Sequence, residues 1–421
     1  MGILALAGWI AACRDASPTR VVTVVDTVPS PADTSKIPPV DTGPPLDTVQ
    51  LAAPSRPQLA SGAFGTCLLH EDGEIACWGD WWGGFVPAPP TRVPPTLDAH
   101  GVPVRFVAIS LGPRLCALST QGEAYCQTQG NVVDPSSPPP PLLLERVNTR
   151  HRFRSVTAGY GTSCALTPSG QAFCWGHGDF GRLGDGSHES GYVAAQPVPA
   201  QTSLRFSALA EGGGDIQCAI AQTGKPYCWG HDEGTVDAIP ELPGDCSTFY
   251  WQWFIGRGCV VPTPVADSPA FTLISSTAES TCGLDAGGAA YCWGYGGYGQ
   301  LGNDTSVVAF APIPVAGGLH FTSLTTGAFH VCALIAAGAA YCWGNNFRGY
   351  LGTGGQRGRA IPTPVAGGLS FTTLASGEFH TCGLSTAGDM WCWGSGAYGA
   401  LGRDASLGDA SVPVRVTAPI P

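Results

Sequence analysis

Cysteine supplies the clearest chemistry in the chain. Two cysteines ten positions apart occur seven times: Cys67 with Cys77, Cys116 with Cys126, Cys164 with Cys174, Cys218 with Cys228, Cys282 with Cys292, Cys332 with Cys342, and Cys382 with Cys392. Cys13, Cys246 and Cys259 bring the total to 17. Such thiols could bind metal or form disulfides. Structural zinc is usually held by ligand pairs about two to four residues apart that meet a second pair, so the wider spacing points to disulfides and an oxidising compartment. In every pair a Gly stands four residues before the second Cys, at Gly73, Gly122, Gly170, Gly224, Gly288, Gly338 and Gly388. Placing Cys332 opposite Cys342 in an antiparallel hairpin puts Leu334 opposite Ala340 and leaves Ala336-Ala337-Gly338 as a three-residue loop. The last residue of such a loop adopts the left-handed conformation, which favours Gly. The cysteines then fall at a non-hydrogen-bonded position, where the chains approach most closely. Each bridge is expected to contribute roughly 2–3 kcal/mol through loop closure. Cys246 and Cys259 make an eighth pair, which leaves only Cys13 unpaired.

The other candidate residues are aromatic. Cys246 and Cys259 enclose Phe249, Tyr250, Trp251, Trp253 and Phe254, with Arg257 beside them. Aromatic rings and Arg in a stapled loop have the composition of a binding hot spot, although the same rings could instead cover a sheet edge. Trp81 and Trp82 form a smaller irregular patch. Catalytic chemistry finds little support. The nine histidines are scattered, and no His-x-x-x-His, nucleophile elbow or phosphate loop occurs. His330 and His380 occupy one repeat position and read as structural. The string Asp179 to Gly186 superficially suggests calcium ligation but lacks the terminal Glu of such a loop. No metal, cofactor or catalytic residue is expected.

The elements that carry these residues repeat. Successive hairpins start 49, 48, 54, 64, 50 and 50 residues apart, and the longest interval holds the aromatic loop. Upstream of a hairpin the unit reads Pro-x-Pro-Val, Phe, Leu and Gly, as at Pro362 to Val365, Phe371, Leu374 and Gly377. Downstream it reads Trp-Gly and then Gly-x-Leu-Gly, as at Trp343-Gly344 and Gly349 to Gly352. Four short strands in about 50 residues is the size of a propeller blade. Seven units predict an all-β, seven-bladed β-propeller over residues 58–421. The first unit has no leading Pro-Val strand, whereas Val412 to Val416 follows the last, so the C-terminal strand is expected to close the ring by completing blade one. Trp78, Trp175, Trp229, Trp293, Trp343 and Trp393 each follow a second Cys, on the strand face opposite the disulfide, and are expected to pack between blades.

The motifs Gly327-x-x-His330-x-Cys332-Ala333-Leu334, Gly338, Tyr341-Cys342-Trp343-Gly344 and Gly349-Tyr350-Leu351-Gly352 resemble those of the regulator of chromosome condensation repeat family of seven-bladed propellers. Departures are Gln127 in place of the motif Trp in the second unit, a motif His only at 330 and 380, and a clear Gly-x-Leu-Gly only at Gly181, Gly299, Gly349 and Gly399. The paired cysteines suggest an exported bacterial branch. The family's founder is a nuclear guanine-nucleotide exchange factor, and the resemblance implies that activity only for a chain with access to a cytosolic GTPase.

The amino terminus points elsewhere. Residues 3–12 are apolar and end in Ile10-Ala11-Ala12-Cys13, which resembles a lipoprotein signal with Cys13 as lipid acceptor, over residues 1–13. Residues 14–57, rich in Pro, Thr and Asp, read as a disordered linker. A lipid-anchored domain in the cell envelope is expected, touching membrane only through that anchor. The net charge of −11 and just two lysines, Lys36 and Lys225, argue against a nucleic-acid partner. The reading is a monomeric, non-catalytic scaffold that binds a protein or glycan. The alternative is a carbohydrate-active or other envelope enzyme using the central funnel.

Overall fold

The computed structural model describes residues 45–417, except 81–87, 128–141, 160, 188–192, 213, 215, 233–245, 252–253 and 278. Cys13, Trp81, Trp82 and Trp253 lie outside the described residues, as do residues 1–44 of the expected signal and linker. The described strands form seven antiparallel sheets. Blade six shows the plan. Phe321–Thr326 pairs with His330–Ile335, which pairs with Ala340–Gly344, which pairs with Arg359–Pro364. The first strand of each blade touches the first strand of the next, and Gln58–Ser61 of blade one also touches Phe371–Ser376 of blade seven. The protein is therefore a closed seven-bladed propeller whose first strands line a central channel.

The hairpins follow from the repeat. All seven pairs spaced by ten stand opposite one another in register and are joined as disulfides. They are Cys67 to Cys77, Cys116 to Cys126, Cys164 to Cys174, Cys218 to Cys228, Cys282 to Cys292, Cys332 to Cys342, and Cys382 to Cys392, with Cα atoms 4.1–4.2 Å apart. In blade six Leu334 faces Ala340, the Gly338 N–H donates to Ile335 O at 2.8 Å, and Gly338 has φ of 79°. A side chain with Cβ at that φ would be strained, which is why one position holds Gly throughout.

A blade presents two different faces to its neighbours. The disulfide of blade five (Cys282, Cys292) packs with Trp343 of blade six, that of blade six (Cys332, Cys342) with Trp393 of blade seven, and that of blade seven (Cys382, Cys392) with Trp78 of blade one. The same relation joins Cys164 and Cys174 of blade three to Trp229, and Cys218 and Cys228 of blade four to Trp293. In blade two, Cys126 packs in the cluster that holds Trp175. The second Gly of each Gly-x-Leu-Gly turn lies against the Trp of the following blade. A Cβ on Gly302 would stand 2.7 Å from Trp343 Nε1, and one on Gly352 would stand 2.8 Å from Trp393 Cδ1. Such close approach leaves no room for a side chain. Between blades one and two, where Gln127 replaces Trp, Tyr125, Leu142, Leu144 and Val93 join Cys67 and Cys77 to fill the layer.

Two expectations are corrected. The C-terminal strand Ala410–Arg415 does not complete blade one; it is the outer strand of blade seven, with Val414 opposite Cys392. The Pro-Val strand pairs with the hairpin that precedes it, so a blade begins at the Phe-Leu strand and blade one has its own short outer strand, Thr91–Arg92. Closure comes instead from packing of blade seven on blade one. The Trp78 Nε1–H donates to Ala400 O at 3.2 Å, His380 Nε2 lies 2.8 Å from Thr66 Oγ1, and Val416 joins Trp78 in one apolar cluster. The second correction concerns the linker's end. Leu46, Asp47 and Leu51 lie on the propeller: Leu46 N–H donates to Arg150 O at 3.1 Å, Leu51 N–H to Thr120 O at 2.8 Å, and Asp47 meets His151 at 2.8 Å. Leu51 packs among blade-two and blade-three residues, so apolar burial starts the packed chain earlier than its proline content suggests.

Candidate functional site

Blade four departs most from the plan. Its sheet has five strands, because Cys246–Trp251 is added outside Phe254–Pro264. Cys246 stands opposite Cys259, Thr248 opposite Arg257, Phe249 opposite Gly256, Tyr250 opposite Ile255 and Trp251 opposite Phe254. Cys259 is disulfide-bonded. The expected loop is therefore a hairpin that carries Phe249, Tyr250, Trp251, Phe254 and Arg257 on one two-stranded ribbon at the rim of the ring. Proline interrupts the outer strands of blades three, five, six and seven, at Pro197, Pro312, Pro362 and Pro413 among others. Those of blades one and two are only two and three residues long. Short edges and prolines both prevent further strand pairing. The six residues Cys246–Trp251 carry neither protection.

A second place where the blades differ raised no expectation from sequence. Seven turns lead from the innermost strands to the first cysteine strands, and they ring one end of the channel. Their described residues include Gly62 and Ala63, Gly112 to Arg114, Gly159 and Gly161, Gly212 and Gly214, Thr277 and Glu279, Gly327 to Phe329, and Gly377 to Phe379. A cavity of about 280 Å³ opens between them, lined by Glu279, Phe329, Glu378 and Phe379 among others. It leads into a channel of about 460 Å³ lined by Ser61, Ser110, Thr157, Glu211, Thr325 and Ser376. Three phenylalanines from consecutive blades stand side by side, with Phe329 6.0 Å from Phe379 and Phe379 5.2 Å from Phe64, centroid to centroid. Tyr298 extends the row at 5.4 Å from Phe329, and Tyr398 at 4.9 Å from Phe64.

Burial pushes the carboxyls of Glu211 and Glu378 above their ordinary range. Glu211 keeps solvent access through the channel although the ring surrounds it. No cation lies within ion-pair distance of Glu378 among the described residues. The signal for this site was present in the sequence as the short segment before each first Cys strand, which varies in both length and content: Gly112 stands four residues before Cys116, Gly212 six before Cys218 and Gly327 five before Cys332.

The motif histidines belong to the walls. His330 and His380 are fully buried. Their Nε2 atoms lie 2.8 Å from Thr381 Oγ1 and Thr66 Oγ1, each in the next blade. Desolvation holds His330 down to about 3 and His380 to about 4, so both are neutral near pH 7 and act as blade-to-blade hydrogen-bonding groups.

Comparison with known proteins agrees with this architecture. Family models described as "Regulator of chromosome condensation (RCC1) repeat" match residues 287–334 and 337–384, and 153–182 and 371–400. The ultraviolet-B receptor UVR8 of Arabidopsis thaliana is 28% identical over 219 residues, covering 52% of this chain and 44% of the receptor. The mitochondrial RCC1 domain-containing protein RUG3 of the same plant is 28% identical over 201 residues, covering 37% of this chain and 45% of RUG3. The chain thus matches less than half the length of these curated relatives. Among solved structures, Prp20p of Saccharomyces cerevisiae superposes with a TM-score of 0.65 at 17% identity, covering 88% of both chains. Human WBSCR16 superposes at 0.63 and 18% identity, covering 78% of this chain and 86% of its own. The chain thus carries matches to RCC1 repeats over parts of residues 153–182 and 287–400, and its seven-bladed fold is similar to that of the RCC1-repeat propellers.

Proposed function

We propose that this propeller is a non-catalytic binding scaffold whose partner is a protein, engaged at the rim of blade four. The observation that carries the reading is the added strand Cys246–Trp251, a six-residue edge without proline in a ring whose other described edges are short or broken by proline. An extended partner segment would add to that edge, with backbone hydrogen bonds supplying affinity and the aromatic positions supplying specificity. Prp20p offers a parallel for partner binding on this fold, since its structure is reported with binding properties toward Gsp1p and histones. The charge of −11 opposes a nucleic-acid partner. The cell-envelope location, with Cys13 as lipid acceptor holding the ring near a membrane, is part of the same proposal.

The test replaces Trp251 and Trp253 with Ala. Partner capture by the full chain is expected to be lost while the melting temperature stays unchanged; a large fall in melting temperature with capture intact would assign the rings to covering the blade edge. A second reading, an enzyme acting on envelope glycans in the funnel, draws on Glu211, Glu279 and Glu378 near one mouth. Turnover of a glycan that disappears in Glu378→Gln would replace the scaffold reading.

A further inference from the structure

We propose that the mouth of the channel ringed by the seven turns is a binding site for an organic cation, an alkylammonium or guanidinium group. One wall of the cavity is aromatic, since Phe329 and Phe379 line it and Phe64 continues the row. Ring faces attract cations, more strongly where water is excluded. Glu279 and Glu378 line the same cavity and supply negative charge.

Glu378 is informative because the fold does not require it. The equivalent residues in blades one and six are Ala63 and Ala328. Its backbone carbonyl accepts from Ala328 N–H at 3.3 Å, a bond that any residue at this position would make. A carboxylate drawn into protein without a partner is costly, and an incoming cation removes that cost. Burial without compensation is what raises its carboxyl.

Size and donor set narrow the ligand. About 280 Å³ is at the lower end of small-molecule sites, enough for one long side chain or a small amine. Among the described residues no three His, Cys, Asp or Glu side chains gather as a metal ion would need. An organic cation suits two carboxylates beside phenyl rings better. The charge along the channel agrees with this assignment. Arg154 lines the channel from its far half, and Arg56 lines the opposite opening. Arg114 is the single cation in the seven turns; it belongs to blade two, three blades from Glu279 and two from Glu378.

Calorimetric titration of the full chain tests the proposal with three probes: agmatine, a capped Gly-Gly-Arg-Gly-Gly peptide, and the same peptide with citrulline in place of Arg. Agmatine, the Arg peptide or both are expected to bind, with affinity falling as salt is added. Binding of agmatine alone identifies a free amine as the ligand, and binding of the peptide identifies a protein side chain. Glu378→Gln is expected to weaken binding about tenfold, with the melting temperature retained, and Phe379→Leu to weaken it as well. Absence of binding to both cationic probes, equal binding of the citrulline peptide, or unchanged affinity in Glu378→Gln would overturn the assignment. Glu378→Gln is also expected to leave partner capture at blade four intact, so failure of either proposal is seen separately.

Discussion

His330 and His380 show how one residue type is used to join blades. Each ring is fully buried, neutral and within 2.8 Å of a threonine hydroxyl in the next blade. Their folded-state values of about 3 and about 4 lie below the ordinary value of 6.5, so the unfolded chain binds more protons than the folded one between these limits. Stability linked to the two histidines is therefore fully present above about pH 6.5 and lost as pH falls toward 4. The raised carboxyls of Glu211 and Glu378 act in the opposite direction, gaining stability on acidification. The melting temperature is expected to fall between pH 7 and pH 4.5, and a His330→Asn, His380→Asn double variant to be less stable at pH 7 but flatter across that range. An equally steep profile in the variant would show that other groups control it. The histidines were legible as structural because they recur at one repeat position. Glu378 was not, because its meaning depends on the cavity formed when distant turns converge.

At the scale of elements, the cysteine hairpin is the unit of construction. It combines a loop that needs Gly, a register that brings two Cα atoms within 4.2 Å, and alternating faces that send the disulfide to one neighbour and Trp to the other. Replacing both Cys332 and Cys342 with Ala is expected to cost roughly 2–4 kcal/mol, seen as a lower denaturation midpoint, while far-ultraviolet circular dichroism retains the β-sheet signal. No change in midpoint would mean that the inter-blade layers alone hold the hairpin. These strands could be read from spacing because the ten-residue separation and the Gly fix the loop. The phase of the outer strand could not, since Pro-x-Pro-Val lies between two hairpins and sequence distance does not say which one it pairs with. The linker's end was misplaced for a similar reason: Leu46 and Leu51 find their partners far along the chain, at Arg150 and Thr120.

For the whole molecule, the ring number followed from counting hairpins, whereas the mode of closure required the structure. Blade seven meets blade one through the same Trp and Gly-x-Leu-Gly device used elsewhere, with Trp78 donating to Ala400 O at 3.2 Å and Gly402 beside its indole. The ring is thus closed by side-chain layers between first and last blades that remain separate sheets. A scaffold built this way repeats its interior and varies its rim and its turns, which is where both proposed sites fall. The blade-four hairpin was legible from the 64-residue interval and its paired cysteines, although its role as an added edge strand emerged only from the sheet order.

Backbone hydrogen exchange of the full chain, free and in complex with its captured partner, tests the central claim most directly. Addition of a partner strand predicts slower exchange confined to residues 246–264, in and beside the edge strand of blade four. Unchanged exchange there, with protection appearing on another blade or at the channel mouth, would contradict it.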